Sequence, residues 1–320
     1  MRWAAFLAVW LLGLALAAAE ERTFSVCWWN VENWGETDRR IDGQFLPHAM
    51  KPPREVASVL AILKRVRPDI LGVAEIIQAP DDKNLALFRR ELAAEGLDYP
   101  YVSTARGEDT RIEMALFSRY PIAEDHAFNR ETFGVTLHSP STGERKRARF
   151  RVGRGFLNCR IEVAPGYSLQ VMTAHLKSKW PEKSVEGEEG EPGDAYVRRN
   201  EARLLRRHVD TFLKDHPGQD LLVMGDFNDT PDSRTVAEVL KGGSLAELPL
   251  ADYLGDRWTE WFRQRRSYEQ IDYLFADDSL RARFLPGESF LFRPKADDPP
   301  DLDPREASDH RPLCARFSLP

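Results

Sequence analysis

The chain alternates short apolar runs with segments whose apolar residues recur at helical spacing. Runs rich in Val, Ile, Leu and Trp predict strands at residues 25–31, 69–76, 113–118, 168–176, 221–225, 271–276 and 312–319. Residues 54–66 and 195–213 each place their apolar side chains on one face of a helix. The sequence contains no repeat with a period of about 20–50 residues. This pattern predicts an α/β protein with a single domain.

The composition fits a soluble globular chain and excludes several other classes. Of 320 residues, 42% are hydrophobic and 10% aromatic, with 20 Gly and 21 Pro, which argues against a coiled coil, collagen or global disorder. The formal net charge is −6, so the molecule as a whole does not attract nucleic acid or anionic lipid. A surface that binds polyanions must therefore be local.

Residues 1–19 have the pattern of a signal peptide. Arg2 precedes an uncharged run that ends in Ala17, Ala18 and Ala19, immediately before two glutamates. An uncleaved membrane anchor is the alternative, although this alanine-rich run is at the short limit for a membrane span. We expect cleavage, export to the periplasm or the extracellular space, and one folded domain over residues 20–320.

Cys27, Cys159 and Cys314 each lie in an apolar, strand-like segment. Three cysteines are an odd number and too few for a disulfide scaffold, and their spacing matches no metal site. We expect buried thiols, and a single bridge such as Cys27–Cys314 is the alternative.

Three segments differ from the rest of the chain in composition. Residues 181–195 contain six acidic residues and three Gly, and residues 294–307 are rich in Pro and Asp, so both are predicted to be mobile loops. Residues 144–154 contain six Arg or Lys. These charges fit either a solvated hairpin edge, where they prevent pairing with other sheets, or a contact with a phosphate backbone.

Several apolar runs end in carboxylate, amide or imidazole side chains. They are WNVEN at 29–33, VAE at 73–75, TAH at 173–175, MGDFND at 224–229, QIDY at 270–273 and SDHRP at 308–312. Strand ends are where a sheet can present a site to solvent. Together these side chains suit a hard divalent cation with oxygen ligands beside a separate acid–base pair, and they do not suit a structural zinc site.

In this order and spacing, these segments resemble the endonuclease/exonuclease/phosphatase superfamily of DNase I-like hydrolases. The resemblance extends over nearly all of residues 24–319. It implies a single-domain, four-layer α/β/β/α sandwich in which two mainly antiparallel sheets pack face to face and are flanked by helices. It also implies a divalent metal cofactor, for which Mg²⁺ is the first candidate and Mn²⁺ or Ca²⁺ are alternatives.

The resemblance implies four residues on the metal side of the site. Glu75 matches the principal carboxylate ligand, and Asn30 matches an amide that helps to hold the hydrated metal and the scissile phosphate. Asp309 stands where the family often has a second carboxylate. Glu32 stands where some members carry an acidic metal ligand.

The resemblance implies five catalytic residues as well. His310 matches the catalytic imidazole, and Asp272 matches the carboxylate that orients it and favours its protonated form. Asp226 matches the residue that orients or deprotonates the attacking water, and Asn228 the amide that positions this water. His175 matches a histidine that contacts the phosphate in some branches.

Three basic residues are candidates for binding the substrate phosphate. Arg111 lies in a segment similar to one whose arginine meets phosphate in the family, although the glycine of that segment is absent here. Lys177 and Lys179 lie in HLKSK, which is similar to a segment of exported bacterial nuclease-like members. If this segment is a strand, alternation with Ser178 places both lysines on one face, and a solvated strand edge is the alternative.

Residues 257–266 interleave two Trp and one Phe with four Arg. A loop that stacks bases and follows phosphates has this composition, as does an aromatic cluster with Arg at its rim. We therefore predict an exported, divalent-metal-dependent nuclease that acts on DNA or RNA with little sequence preference. The alternatives are a lipid or small-molecule phosphodiesterase or phosphatase, or a catalytically silent binding protein on the same fold. We expect a monomer with a nucleic acid substrate, no protein partner and no stable membrane association.

Overall fold

The structure is a computed structural model that describes residues 22–139, 141–179, 190–263 and 265–320. Its strands are β1 (Thr23–Trp34), β2 (Thr37–Ile41), β3 (Gln44–Ala49), β4 (Ile70–Ile77), β5 (Tyr101–Ala105), β6 (Ile112–Ser118), β7 (Ile122–Asp125), β8 (Thr132–His138), β9 (Arg145–Arg151), β10 (Phe156–Ala164), β11 (Tyr167–His175), β12 (Leu221–Asp226), β13 (Ala246–Glu247), β14 (Glu260–Phe262), β15 (Ser267–Glu269), β16 (Asp272–Ala276), β17 (Phe290–Leu291) and β18 (Leu313–Ser318). Its helices are α1 (Pro53–Val66), α2 (Lys83–Ala94), α3 (Gly193–Asp215), α4 (Arg234–Val239), α5 (Asp278–Arg281) and α6 (Pro304–Ala307). None of the helices in these ranges is long and apolar enough to cross a membrane.

Two six-stranded sheets form the centre of the molecule. The first has the order β17-β18-β1-β4-β6-β5, and the second has the order β13-β16-β12-β11-β10-β7. The pairs β1–β4 and β11–β12 are parallel, and the other pairs in both sheets are antiparallel. The predicted arrangement of two mainly antiparallel sheets is confirmed.

Alternating side chains on the central strands separate the molecule into layers. Along β1, Val26 and Trp28 face the second sheet, whereas Cys27 and Trp29 pack on the side of α1 and α2. Along β12, Leu222 and Met224 face the first sheet, whereas Leu221 and Val223 pack with α3 and α4. The period of two along a strand thus supplies three apolar layers for four layers of structure, which confirms the predicted α/β/β/α sandwich.

The predicted strands and the two predicted helices are all present, with ends that differ by a few residues. Helix α2, which buries Phe88 and Leu92 on one face, was not predicted from the sequence. Strand β8, whose buried side chains Phe133, Val135 and Leu137 pack with the core beside α3, was not predicted either. The basic segment 144–154 forms β9, which pairs with β8 as an antiparallel hairpin.

The two predicted mobile loops have different outcomes. Residues 181–189 lie outside the described residues, and α3 already begins at Gly193. The other segment, 294–307, contains a 3-10 turn at Pro300–Leu302 followed by α6. Leu302 and Ala307 are buried in the core layer that α1 covers, so part of this segment has regular structure; its mobility stays a prediction.

All three cysteines are free and buried, as expected. Cys27 and Cys314 are direct partners in the pairing of β1 with β18, and their Sγ atoms lie 3.0 Å apart. Burial raises the pKa of the Cys159 thiol to about 12, so this thiol is protonated at neutral pH.

Candidate active site

Three polar residues lie side by side at one end of the second sheet. In the pairing of β11, β12 and β16, His175 is the partner of Asp226, and Asp226 is the partner of Asp272. All three side chains are buried. The register of the central strands therefore brings together residues that are up to 97 positions apart in sequence, counted from His175 to Asp272.

Asp272 holds the imidazole of His310 in a fixed orientation. Its Oδ2 lies 2.7 Å from Nδ1 of His310, which donates to it. Its Oδ1 accepts a hydrogen bond of 3.0 Å from Nε1 of Trp28, which belongs to the other sheet. The backbone N–H of Asp272 donates to Oγ1 of Thr259. Both carboxylate oxygens of Asp272 therefore accept hydrogen bonds. Because Asp272 binds Nδ1 of His310, Nε2 is the ring nitrogen that is directed at other groups.

The amide of Asn30 lies at the centre of the cluster. Its Nδ2 donates to Oε1 of Glu75 and to Oδ2 of Asp226, at 3.1 Å in each case. Nε2 of His310 is 3.4 Å from the same nitrogen. Since Asn30 and Glu75 come from the first sheet and Asp226 from the second, the site lies across the junction between the two sheets.

Local backbone irregularities direct several of these side chains. Glu75 has a φ of +68°, and the pairing of β4 shifts register between Ala74 and Ile76, as in a β-bulge. Glu32 and Asn33 also have positive φ, at a register shift in β1. Asn228, with a φ of +53°, donates from its backbone N–H to Asp226 and from Nδ2 to the carbonyl of Leu176. Bulges and left-handed residues near active sites commonly re-aim side chains.

Charge is distributed unequally between the catalytic candidates. Burial, followed by the charge of Asp272, raises the pKa of Asp226 to about 8. Burial alone would disfavour the charged imidazole of His310. The charge and hydrogen bond of Asp272, together with the charges of Asp226 and Asp309, outweigh burial and raise the pKa of His310 well above its ordinary value. His310 is therefore an imidazolium at neutral pH.

Asp309 and Glu32 form a second acidic group beside the first. Oδ1 of Asp309 is 3.9 Å from Nε2 of His310, and burial followed by the charge of Glu32 raises the pKa of Asp309 to about 7. Glu32 itself is held by Arg263, whose two terminal nitrogens lie 2.8 and 3.0 Å from its carboxylate oxygens. Glu32 also accepts the backbone N–H of Asp309. Through these contacts Glu32 positions Asp309, and its role as a metal ligand stays a prediction.

The donor set fits a divalent cation. Asp226, Asp272 and His310 offer ligand atoms within 4.8 Å of one another. Asp272 and His310 are, however, committed to each other by a hydrogen bond, so the remaining oxygen donors are those of Glu75, Asp226 and Asp309. Burial, followed by neighbouring carboxylates, raises the pKa values of Asp226 and Asp309, so a positive charge bound here would favour their ionised forms. Hard oxygen donors are the ligands that Mg²⁺, Mn²⁺ and Ca²⁺ prefer. Glu75, Asp309 and the Asn30 amide are the residues best placed to hold such an ion.

His175 is buried beside Asp226, and its contact with the substrate phosphate stays a prediction. It is 3% exposed, and its Nε2 is 3.5 Å from Oδ2 of Asp226. Burial, followed by the positive charges of Arg154 and His310, lowers its pKa well below the ordinary value. His175 is thus a neutral imidazole behind Asp226, and its Nδ1 has no hydrogen-bond partner within the described part of the chain.

The predicted phosphate-binding residues lie at the rim and do not contact the cluster. Arg111 is exposed next to β6, and its backbone N–H is held by Asp109. The expectation that Lys177 and Lys179 share a strand face is wrong, because β11 ends at His175. Their segment leaves the sheet where the backbone N–H of Lys177 donates to Glu201 on α3. Lys179 forms an ion pair with Glu269, whereas Lys177 forms none among the described residues.

Sequence reasoning missed several residues that support the site. Trp28 and Thr259 fix Asp272, and Ser308 donates from Oγ to the carbonyl of Asn30 while accepting the backbone N–H of His310. Glu260 forms an isolated bridge with His310, and burial raises its pKa. Ser308 lies within the recognised segment 308–312 and Trp28 precedes the segment 29–33, so their position was the available signal. Thr259 and Glu260 lie in the segment 257–266, whose aromatic and arginine content gave no signal for their own roles.

Several solved structures have a similar fold. The chain shares 17% sequence identity with truncated TDP2 from Caenorhabditis elegans, with a TM-score of 0.57 over 93% of this chain and 98% of the other. The human Nocturnin catalytic domain shares 15% sequence identity with this chain, with a TM-score of 0.56 over 93% of this chain and 95% of the other. Sphingomyelinase C from Streptomyces griseocarneus shares 15% sequence identity, with a TM-score of 0.59 over 93% of this chain and 100% of the other. These likenesses show the shared fold.

The comparison with curated proteins gives no match. A family model for the endonuclease/exonuclease/phosphatase family, in contrast, matches residues 27–310, which include every residue of the cluster. The chain therefore belongs to the endonuclease/exonuclease/phosphatase family.

Proposed function

We propose that this protein is an exported phosphodiesterase that uses a divalent metal to hydrolyse the backbone of nucleic acids. Family membership supports the coarser activity, hydrolysis of phosphoester bonds with a divalent metal. The observation that carries the proposal is the convergence of Asp272–His310, Asp226, Asn30 and Glu75 at the junction of the two sheets. Export rests on the signal-peptide pattern of residues 1–19, which lie outside the described ranges.

His310 supplies positive charge where a phosphodiester gains negative charge. Its Nδ1 is fixed by Asp272, so the N–H at Nε2 is directed into the cluster and can donate to a phosphoryl oxygen. The hydrogen bond from Trp28 keeps Asp272 in place from the opposite sheet. A pre-oriented imidazolium needs little rearrangement when the pentacoordinate transition state forms.

Asp226 is the residue best placed to orient the attacking water. Asn30 and the backbone N–H of Asn228 bind its two oxygens, so its carboxylate direction is fixed. Its raised pKa makes the ionised form of Asp226 a stronger base than an ordinary carboxylate, and a cation bound nearby would favour this ionised form. When bound at Glu75 and Asp309, a divalent cation would neutralise the phosphate and polarise a phosphoryl oxygen.

An aromatic hairpin beside the site supports a nucleic acid substrate. β14 and β15 form this hairpin, and the backbone N–H of Trp261 donates to the carbonyl of Asp309. Trp258 and Trp261 are half-buried and lie 4.5 and 4.4 Å, between ring centroids, from the exposed Tyr268. Adjacent aromatic rings of this kind can stack on bases of any sequence. Arg263 of the same segment is engaged in an ion pair with Glu32.

The test compares substrates with protein purified from cells that express the full chain. Plasmid DNA, RNA, sphingomyelin and bis-p-nitrophenyl phosphate are incubated in parallel with Mg²⁺, Mn²⁺ or Ca²⁺. His310→Ala should lower the rate by about 10²–10⁴-fold on every cleaved substrate, because it removes the group that donates to the phosphate. His216→Ala is the matched control, because His216 is exposed at the far end of α3.

Plasmid nicking that requires both the metal and His310 would support the proposal. Turnover of the lipid or the small diester alone would retain the catalytic site and overturn the substrate. The absence of turnover on all four substrates, with metal still bound, would overturn the proposal.

A further inference from the structure

The hairpin of β8 and β9 carries a line of arginines on one face. Antiparallel pairing sets Arg145, Arg147, Arg149 and Arg151 opposite His138, Thr136, Gly134 and Thr132, so all eight positions lie on the same side of the hairpin. The other side carries Phe133, Val135 and Leu137, which are buried in the core layer of α3. We call the four arginines the arginine stripe. Their alternation fixes them on the solvent side of a hairpin whose other face is anchored.

The arginine stripe has no counter-charge in the described ranges. All four of its side chains are exposed, and none forms an ion pair with a described residue. This contrasts with Arg160, Arg203 and Arg263, each of which pairs with a glutamate. A protein with a net charge of −6 has acidic groups available, yet none lies within 4.0 Å of the stripe in the described structure.

The base of the hairpin is tied to the active site. Glu201 on α3 accepts the backbone N–H of Gly153, two residues after the stripe, and the backbone N–H of Lys177, two residues after His175. Arg154 donates from Nη1 to the carbonyl of Leu176 at 2.8 Å. The stripe therefore starts next to the strand end that carries His175 and runs outward from it.

The shape of the stripe identifies the chemistry of its partner. Alternate residues of a strand lie about 6.7 Å apart, so four arginines form a row on the order of 20 Å long. Arginine binds phosphate through several N–H groups, and a row of evenly spaced arginines matches a polymer with regularly spaced phosphates. An anionic lipid surface would also favour exposed apolar side chains, but the apolar side chains of this hairpin point inward.

We propose that the arginine stripe binds the sugar–phosphate backbone of a nucleic acid at phosphates several nucleotides away from the one being cleaved. This inference rests on the proposed function, because it extends the same site along a polymeric substrate. It adds an expectation that the cluster alone does not give: affinity should rise with oligonucleotide length until the strand spans the stripe.

The experiment measures binding of a fluorescent trinucleotide and a fluorescent dodecanucleotide as a function of salt. All proteins carry His310→Ala and contain Mg²⁺, so that the probes are not cut. Arg147→Gln/Arg149→Gln removes two charges from the stripe. Arg65→Gln/Arg90→Gln is the matched control, because these exposed arginines lie on α1 and α2, which cover the other sheet. Phosphatidylserine vesicles are a third probe, and hydrolysis of bis-p-nitrophenyl phosphate with His310 intact reports separately on the catalytic site.

We expect the stripe variant to bind the dodecanucleotide roughly tenfold more weakly than the control variant. The slope of log K against log[salt] should become shallower by about 0.7 for each single-strand phosphate that the variant no longer neutralises. The trinucleotide should bind both variants equally, and Arg147→Lys/Arg149→Lys should restore most of the affinity.

Equal dodecanucleotide affinity and slope in the stripe and control variants would overturn the proposal. So would weaker vesicle binding in the stripe variant with unchanged oligonucleotide binding. If the protein hydrolyses the small diester but binds neither oligonucleotide, the stripe proposal fails while the phosphodiesterase activity stands.

Discussion

At Glu75 a single residue turns the end of a strand towards the site. A backbone φ of +68° is unusual for a residue other than glycine and costs on the order of 1–3 kcal/mol. The carboxylate that it directs accepts hydrogen bonds from Asn30 and from the backbone N–H of Asn33. The sequence motif identified Glu75 but could not show the bulge that aims it, since the bulge depends on how β4 pairs with β6.

Glu32 shows that the partner of a residue cannot be predicted from its local sequence. The family resemblance implied a metal ligand at Glu32, which stays a prediction, and the structure adds an ion pair with Arg263, which is 231 positions away. No local pattern announces a partner at that distance. Residue types and motif order therefore predicted which side chains lie at the junction of the two sheets. The hydrogen-bond partners of each side chain depend on the folded structure and could not be predicted from the sequence.

His208 provides a residue-scale prediction about pH. Its ring stacks on Phe128, with 3.8 Å between ring centroids, and burial lowers its pKa despite the nearby charge of Glu131. In the unfolded chain the pKa is about 6.5, so unfolding takes up a proton below that pH. The stabilisation from a neutral His208 should be complete above pH 6.5 and lost progressively as the pH falls from there towards its folded pKa.

Urea unfolding at several pH values between 7 and 5 tests this expectation. Between pH 7 and pH 5, the free energy of unfolding should fall less for His208→Gln than for wild type, whatever the effect of the substitution at pH 7. The same substitution at the exposed His126 is the control. Identical pH slopes for wild type and both variants would show that His208 does not contribute to acid sensitivity.

At the scale of elements, the register of three neighbouring strands sets the geometry of the site. β11, β12 and β16 could each be predicted from apolar runs, and their polar ends were visible in the sequence. Their order in the sheet could not be predicted from periodicity, because β11 and β12 are separated by the whole of α3. The parallel pairing that aligns His175 with Asp226 is a property of the complete sheet.

The pairing of β11 with β12 leaves no room for a side chain at Gly225. A Cβ added there would lie 2.1 Å from the carbonyl oxygen of Ala174 on β11. Gly225→Ala should therefore separate β11 from β12, lower the free energy of unfolding by about 1–3 kcal/mol, and reduce hydrolysis by shifting Asp226.

Chemical unfolding and a hydrolysis assay on the same samples check both effects. Gly287→Ala is the control, because Gly287, in the 3-10 turn Pro286–Glu288, has no atom within 4 Å of an added Cβ and lies outside the proposed binding surfaces. Unchanged stability in the Gly225 variant would mean that the strands have room that the structure does not show.

At the scale of the whole molecule, neither sheet contains a complete site. Asn30 and Glu75 belong to the first sheet, Asp226 and Asp272 to the second, and the indole of Trp28 bonds across the junction. Residue patterns alone predicted an α/β chain, and the family resemblance supplied the four layers. The packing of one sheet on the other, which creates the acidic cluster, follows from apolar faces on both sheets and is not encoded in any one segment.

This arrangement predicts that a divalent cation stabilises the folded protein. An ion that binds only the folded state should raise the free energy of unfolding by about 2.7 kcal/mol when its concentration is about 100 times its Kd. Glu75→Gln should abolish most of the response. In EDTA the same variant should be at least as stable as wild type, because it removes one of the crowded carboxylates.

Thermal unfolding with EDTA, Mg²⁺ or Mn²⁺ measures the effect. Glu162→Gln, at an exposed position near the end of β10, is the control and should respond to metal like wild type. An equal response in both variants would remove Glu75 from the proposed set of ligands.

The pairing of β1 with β18 has a consequence for how the protein is made. These strands pair residues such as Thr23 and Ser318, which lie at nearly opposite ends of the chain, and His310 closely precedes β18. Contacts of such high sequence separation carry a high loop-closure cost and slow folding. A ribosome must therefore release almost the entire chain before the first sheet gains its partner strand and the imidazole arrives. A chain that stops before the last strand leaves β1 with an unpaired edge and lacks a functional catalytic centre, so incomplete products should aggregate or be degraded without ever hydrolysing substrate.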